Sequence, residues 1–392
     1  MSSIPVPEDI LINILLRLPF KSISLCRCVC KFWRTLLSNR NFVKTHYDLA
    51  VEKNYPNTIL REYVNSKQLI YSLNMSASEC EIKSIDKLCY PFESKGHVEI
   101  LGSSNGLLCI RAGECHDEST ICIWNPTTKE YKKVPRSPKN QFPSDLVPEI
   151  YRIAYGLWYD SKIDDFKLIK VVGFDGDSTR SGVQVYNLGL NSWSTHELIP
   201  YYVTCNTMRS GIIVHGSLHW LGKAGAKSFV QLCPDVIVSF DICDERFYEL
   251  TFPAAVNNQD FSVGREIGVL DGCLCLILRH SSNGQVDLWV MREHGVKESW
   301  SILFTTHALH VDYPFMGNFL VYAFENGELL LANLFCFILY NLRHDRAKTV
   351  TIPGICGLCV PASYLTSLYS LNSRTYVGQD DRIIDLRIMG DG

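Results

Sequence analysis

The sequence predicts a small α-helical head over residues 1–45, a linker at 46–57, and an all-β propeller of about six blades over 58–392. Three observations carry this. Residues 1–45 place apolar side chains at helical spacing. From about residue 58 the chain reads as short apolar runs separated by turn residues. Two marks in those runs recur with a period of about 50–55 residues, the length of a four-strand propeller blade.

In the head, Pro7 suits a first helical turn, and Glu8 and Asp9 complement the positive end of the helix dipole. Ile10, Ile14 and Leu18 recur at i, i+4 and i+8, with Leu11 and Leu15 beside them, and Pro19 stops the helix. A second helical stretch is expected from Lys21, with Val29, Trp33, Leu36 and Leu37 on one side and Phe32 alongside. A module of about 40 residues cannot bury that much apolar surface by itself. The surface therefore meets a partner or the rest of the chain.

In the remainder, Asn105-Gly106, His215-Gly216, Asp271-Gly272 and Asn326-Gly327 each stand between strand-like runs. Such dipeptides make hairpin turns, because glycine accepts positive φ and Asn or Asp tolerates it. The second mark is an apolar run ending in an aromatic and then Asn or Asp: Trp124-Asn125, Tyr186-Asn187, Phe240-Asp241 and Tyr340-Asn341. An aromatic follows in three copies, at Tyr131, Trp193 and Phe247. Tyr71 and Trp289 are weaker copies of the mark. A strand near Ser363–Leu371 is expected to pair with the first strand after residue 58 and close the ring; the competing arrangement is a stack of antiparallel sheets without closure.

Composition narrows function. The formal net charge is −3, so no global basic field exists to hold a nucleic acid. The first 50 residues hold seven Lys/Arg against three Asp/Glu, which leaves the head basic and the remainder acidic. The 16 cysteines are scattered through apolar runs, which implies a reducing compartment and buried thiols. No signal peptide is expected, since Glu8 and Asp9 stand where a basic stretch belongs, and no run is long enough for a membrane span. Location in cytosol or nucleus follows as an expectation.

Possible chemical centres carry little. Cys26, Cys28 and Cys30 spread around a helix and have no His beside them. Cys356 and Cys359 have metal or redox spacing but lack a second pair. His215 and His219 straddle a hairpin turn rather than lying on one helix face. Asp164-Asp165 and Asp380-Asp381 are adjacent, and adjacent strand side chains point to opposite faces. There is no phosphate-binding loop and no nucleophile elbow. No cofactor, no metal and no catalysis are expected.

The head resembles the F-box, and the plant versions in particular. The likeness runs from Val6-Pro7-Glu8-Asp9-Ile10-Leu11 through Ile14-Leu15-Leu16-Arg17-Leu18-Pro19 and Lys21-Ser22-Ile23 to Arg27-Cys28-Val29-Cys30-Lys31 and Trp33. It departs from the usual pattern at Val6, Asn13 and Leu25-Cys26, which spares the central apolar positions. The rest resembles the plant F-box-associated, kelch-like interaction domain. That resemblance lies in Gly102-Ser103-Ser104-Asn105-Gly106-Leu107-Leu108, in Trp124-Asn125-Pro126-Thr127-Thr128, and in Tyr155-Gly156-Leu157-Trp158-Tyr159-Asp160 followed by Asp164-Asp165-Phe166-Lys167-Leu168. It implies the substrate-recognition subunit of an SCF-type cullin–RING ubiquitin ligase. The head would dock a Skp-type adaptor, and through it cullin and RING subunits, by Pro7, Ile10, Leu11, Ile14, Leu15, Leu18, Pro19, Val29, Cys30 and Trp33. The propeller would hold a target protein on its loops. The rival readings are a propeller enzyme and a propeller scaffold outside any ligase, and adaptor binding separates both from the first.

Overall fold

A computed structural model describes residues 7–371 except 53–56, 65–66, 76–81, 89–90, 92–97, 114–119, 139–146, 176, 196–197, 205–209, 225–234, 257–262, 281, 308, 310–318, 325, 333–336 and 351–357. The head comprises α1 (Glu8–Leu16), α2 (Phe20–Cys26), α3 (Lys31–Leu37) and α4 (Arg40–Glu52). Pro7 and Pro19 sit just before α1 and α2, where a missing N–H costs nothing. The stretch expected as one helix from Lys21 is two. Cys30 is fully extended, which breaks the i→i−4 ladder, and its Sγ then caps α3 by accepting from the Trp33 backbone N–H at 3.5 Å. Helix α4 continues through residues 46–52, where a linker was expected. Its buried Phe42, Val43 and His46 explain this, since they hold the helix against its surroundings.

The β region begins with β1 (Asn57–Val64), β2 (Lys67–Met75) and β3 (Ile82–Leu88). The second sheet is β4 (Val98–Ser104), β5 (Leu107–Ala112), β6 (Ile121–Asn125) and β7 (Glu130–Lys133). The third is β8 (Val147–Asp160), β9 (Asp165–Asp175), β10 (Asp177–Asn187) and β11 (Ser192–Thr195). The fourth holds β12 (Tyr201–Val203), β13 (Ile212–Val214), β14 (Ser217–Ala224), β15 (Asp235–Asp241) and β16 (Arg246–Leu250). The fifth is β17 (Val263–Leu270), β18 (Cys273–His280), β19 (Val286–Met291) and β20 (Trp300–Thr306), and the sixth is β21 (Phe319–Ala323), β22 (Glu328–Ala332), β23 (Phe337–Asn341) and β24 (Arg346–Val350). The last strand, β25 (Leu358–Tyr364), returns to pair antiparallel with β1, from Asn57 opposite Tyr364 to Tyr63 opposite Leu358. The closing strand thus lies a few residues before the expected position.

Among the described residues the sheets that follow the plain four-strand plan number five, not about six. The fourth sheet departs from it. Its inner strand is in two pieces, β12 and β13, which pair with opposite ends of β14. Just before β13, Gly211 N–H donates to the Tyr155 carbonyl on β8 at 2.7 Å. Trp220 fills the space beneath: its indole N–H also donates to Tyr155 O, and a Cβ on Gly211 would fall 2.6 Å from its ring.

Local chemistry accounts for the repeated marks. Asn105-Gly106, His215-Gly216 and Asp271-Gly272 all have positive φ at both residues, the geometry of a tight hairpin between strands of right-handed twist. The aromatics Trp124, Tyr186, Phe240 and Tyr340 are at most 1% exposed on the third strand of their sheets. The Asn or Asp after each turns back on the backbone. Asn125 Oδ1 accepts from Thr127 N, Asp241 Oδ1 from Cys243 N and Asp244 N, and Asn341 Oδ1 from Arg343 N and His344 N. Register then sets Tyr131, Trp193 and Phe247 directly opposite Trp124, Tyr186 and Phe240.

The inner strands β4, β8, β12–β13, β17, β21 and β25 touch in sequence, and the last returns to the first. Because neighbouring strands are antiparallel, turns between strands one and two and between three and four lie on one face of the ring. Links between strands two and three, and between sheets, lie on the other. The head packs on the first face. Arg40 Nη1 binds Asp164 Oδ2 at 2.6 Å in the β8–β9 turn, and Leu15, Ile23, Leu37, Phe42 and Val43 share one core with Leu107, Leu157, Phe166 and Leu168.

Candidate functional site

Helix α1 is apolar on nearly every side, which marks an element with two partners rather than one. Leu11 and Leu15 of α1, and Leu18 after it, pack into the core that head and propeller share, whereas Ile10 and Ile14 turn to solvent. Leu15 is 1% exposed, whereas Ile10 and Ile14 are 49% and 52% exposed. Leu15 is therefore a core residue, and its expected place on a docking surface is corrected: the hydrophobic contact it needs is already made within the chain. Leu11, Leu18 and Trp33 are half-buried against the same core. The Leu18 carbonyl lies 3.0 Å from the imidazole Nε2 of buried His46, which ties the α1–α2 link to α4.

Pro7, Pro19, Val29 and Cys30 are exposed, as are Leu25 and Phe32. Leu25 and Phe32 were not among the expected docking residues. The signal was present in Leu25, an apolar residue at a position where the helix pattern turns to solvent. Ile10, Ile14, Leu25, Val29 and Phe32 make up five of the exposed large apolar residues and all lie in the head. An exposed apolar concentration of this kind marks an interaction surface.

The seam behind this surface is closed. Burial lowers the Arg27 guanidinium below its usual value, against the opposing pull of Glu130 at the β6–β7 turn. Burial likewise raises the Tyr47 phenol, with Tyr369 and Asp48 adding to it. Both groups sit between head and propeller.

The other sequence candidates resolve differently. His219 is buried, with Nδ1 3.2 Å from Ile212 O and Nε2 2.9 Å from His294 Nε2. Burial, then the His294 ring, depresses it to about 4. Among the described residues no group of three His, Cys, Asp or Glu is arranged to hold a metal ion. Cys109 and Cys122 are buried, and burial pushes their thiols up. Cys28, Cys30 and Cys243 are exposed instead, because turns and the head surface carry them. Cys356 and Asp380-Asp381 lie outside the described residues, as do most residues of the loops on the face opposite the head. No described helix is long and apolar enough to cross a membrane.

Under that opposite face lies a layer of buried charge. The Arg111 guanidinium pairs with Glu99, Lys170 Nζ donates to Ser137 Oγ at 2.7 Å, and Arg265 meets Asp235 at 3.0 Å across two sheets. Glu99, Arg111, Asp235 and Arg265 sit near the ends of their strands, and Lys170 lies midway along β9.

Residues 6–45 match the model of the F-box domain, and residues 61–357 that of the F-box associated beta propeller domain. Among curated relatives from Arabidopsis thaliana, F-box protein CPR1 is 29% identical over 93% of this chain and 87% of its own length. The F-box/kelch-repeat protein At3g23880 is 27% identical over 94% of this chain and 96% of its own. Among solved structures, a chain of a nidogen/laminin complex aligns at 12% identity and a TM-score of 0.41, over 79% of this chain and 99% of that one.

Proposed function

Since the chain belongs to the plant F-box proteins that carry an F-box-associated β-propeller, we propose that it is the substrate-recognition subunit of an SCF-type cullin–RING ubiquitin ligase. The observation that carries this is the exposure of five large apolar residues in the head, Ile10, Ile14, Leu25, Val29 and Phe32. A Skp-type adaptor covers them, and the adaptor brings cullin and RING subunits. Pro7, Pro19 and Cys30 border the same surface, while Leu11, Leu18 and Trp33 support it from behind. The ligase works in cytosol or nucleus.

The target binds the loop face opposite the head. Catalysis requires no reactive group in this chain. Holding a target lysine near a ubiquitin-charged enzyme replaces a bimolecular encounter by a positioned one. The loops between second and third strands vary in length while the sheets beneath keep their plan, which is how rigid scaffolds present binding residues. Replacing 114–119 and 225–234, which join second to third strands, by unrelated loops of equal length tests this. Target ubiquitination is lost and adaptor binding kept; ubiquitination at the normal rate places target binding elsewhere.

A further inference from the structure

The ring is complete at Tyr364, yet the described chain continues for seven more residues, and these do not extend the sheet. They run back across the face on which the head sits. Asn125 Nδ2 donates to the carbonyls of Ser367 and Tyr369, at 3.2 and 2.7 Å. Glu130 accepts from Leu371 N at 2.7 Å and from Ser370 Oγ at 3.2 Å. The β4–β5 turn is shaped for the segment, because a Cβ on Gly106 would stand 2.4 Å from the Ser367 side chain. Leu368, Tyr369 and Leu371 are buried in the same core as Leu15, Leu37 and Phe42 of the head. The Tyr369 ring touches both bodies at once: Tyr47 of α4 at 6.2 Å between centroids, and Tyr159 and Phe166 of the propeller at 5.6 and 5.3 Å.

We propose that residues 365–371 are a strap that locks the adaptor-docking helices to the propeller, with Tyr369 as its key positioning residue. The consequence rests on the ligase reading given above. The distance from adaptor to target is then set by one rigid body and not by a tether. The Arg40–Asp164 ion pair between head and propeller is partly exposed and weak by comparison with a buried aromatic cluster. The strap adds Leu368, Tyr369 and Leu371 to the apolar core that head and propeller share.

The test is amide hydrogen exchange on the full chain, read separately over α4 and over the central strands β9 and β10. Tyr369→Ala speeds exchange in α4 about tenfold or more and leaves β9 and β10 protected, and Tyr369→Phe restores the normal rate. Glu130→Ala, at a half-buried position, frees the strap end and gives a smaller rise in α4 if the first variant does not fold. Unchanged exchange in α4 for variants that fold overturns the strap. With adaptor, cullin and RING subunits present, Tyr369→Ala lowers kcat for target ubiquitination and leaves KM and adaptor affinity alone. A fall in adaptor affinity alone contradicts the positioning role. An intact chain that binds no adaptor overturns the ligase reading, and the exchange result still decides the strap.

Discussion

Leu15 and Phe32 both belong to the head but differ sharply in burial, and their truncation separates folding from docking. Leu15 is 1% exposed and Phe32 is 52% exposed. Leu15→Ala removes buried methyl groups and leaves a cavity, at about 2–5 kcal/mol of stability. Phe32→Ala removes a ring that is half in water already, so its stability cost is about 1–1.5 kcal/mol, below that of Leu15→Ala. Docking buries the remaining half of the ring. At about 1.5–3 kcal/mol for a full side chain, that half contributes about 1–1.5 kcal/mol, or roughly tenfold in Kd. Adding Val29→Ala takes the loss to between about tenfold and a hundredfold. Thermal melting gives the first quantity, and titration with a purified Skp-type adaptor gives the second. If Leu15→Ala weakens adaptor binding with no change in Tm, or Phe32→Ala lowers Tm and spares binding, the assignment of inner and outer faces is wrong.

Further outcomes follow from the sheets. Removing residues 358–392 takes away β25 and exposes β1 as an edge, so the domain melts lower or aggregates; an unchanged Tm argues against closure by this strand. His219 is held near 4 in the folded protein, below its unfolded value of about 6.5, so the folded state resists protonation. Stability is full above about pH 6.5 and falls toward pH 4, by as much as about 3 kcal/mol; His219→Gln flattens that slope in melts taken across this range, and an unchanged slope assigns it to other groups. Glu99→Ala leaves the Arg111 guanidinium, 2% exposed, without its counter-ion and costs about 3–5 kcal/mol. Combining Glu99→Leu with Arg111→Met recovers most of it, and a double variant no better than the single one removes the pair from the account.

The parts of the fold that could be read from sequence are those set by neighbours in the chain. Asn105-Gly106 and its copies dictate a hairpin whatever surrounds them, and Asn125, Asp241 and Asn341 close their turns with their own side chains. The proposed docking surface was half legible. Periodicity showed that α1 is apolar, but a helix apolar all round does not say which side meets the propeller, so Leu15 was assigned outward and Phe32 passed over. The break at Cys30 was hidden because the residues around it keep helical spacing. The split inner strand of the fourth sheet depends on Trp220 reaching Tyr155 on the neighbouring sheet, a contact with no local signature. The strap was illegible for the same reason. Residues 363–371 were expected as the closing strand, whereas after Tyr364 the chain leaves the sheet, and its partners Asn125 and Glu130 are over 200 residues away.

The central claim is that the head's outer apolar surface is the docking site for an adaptor. Mixing the purified full chain with a Skp-type adaptor and measuring the mass of the eluted complex by light scattering tests it most directly. The account requires a one-to-one complex that is lost in the Val29→Asp/Phe32→Asp variant while that variant stays folded. A parent chain that elutes alone, or a double variant that still carries the adaptor, contradicts it.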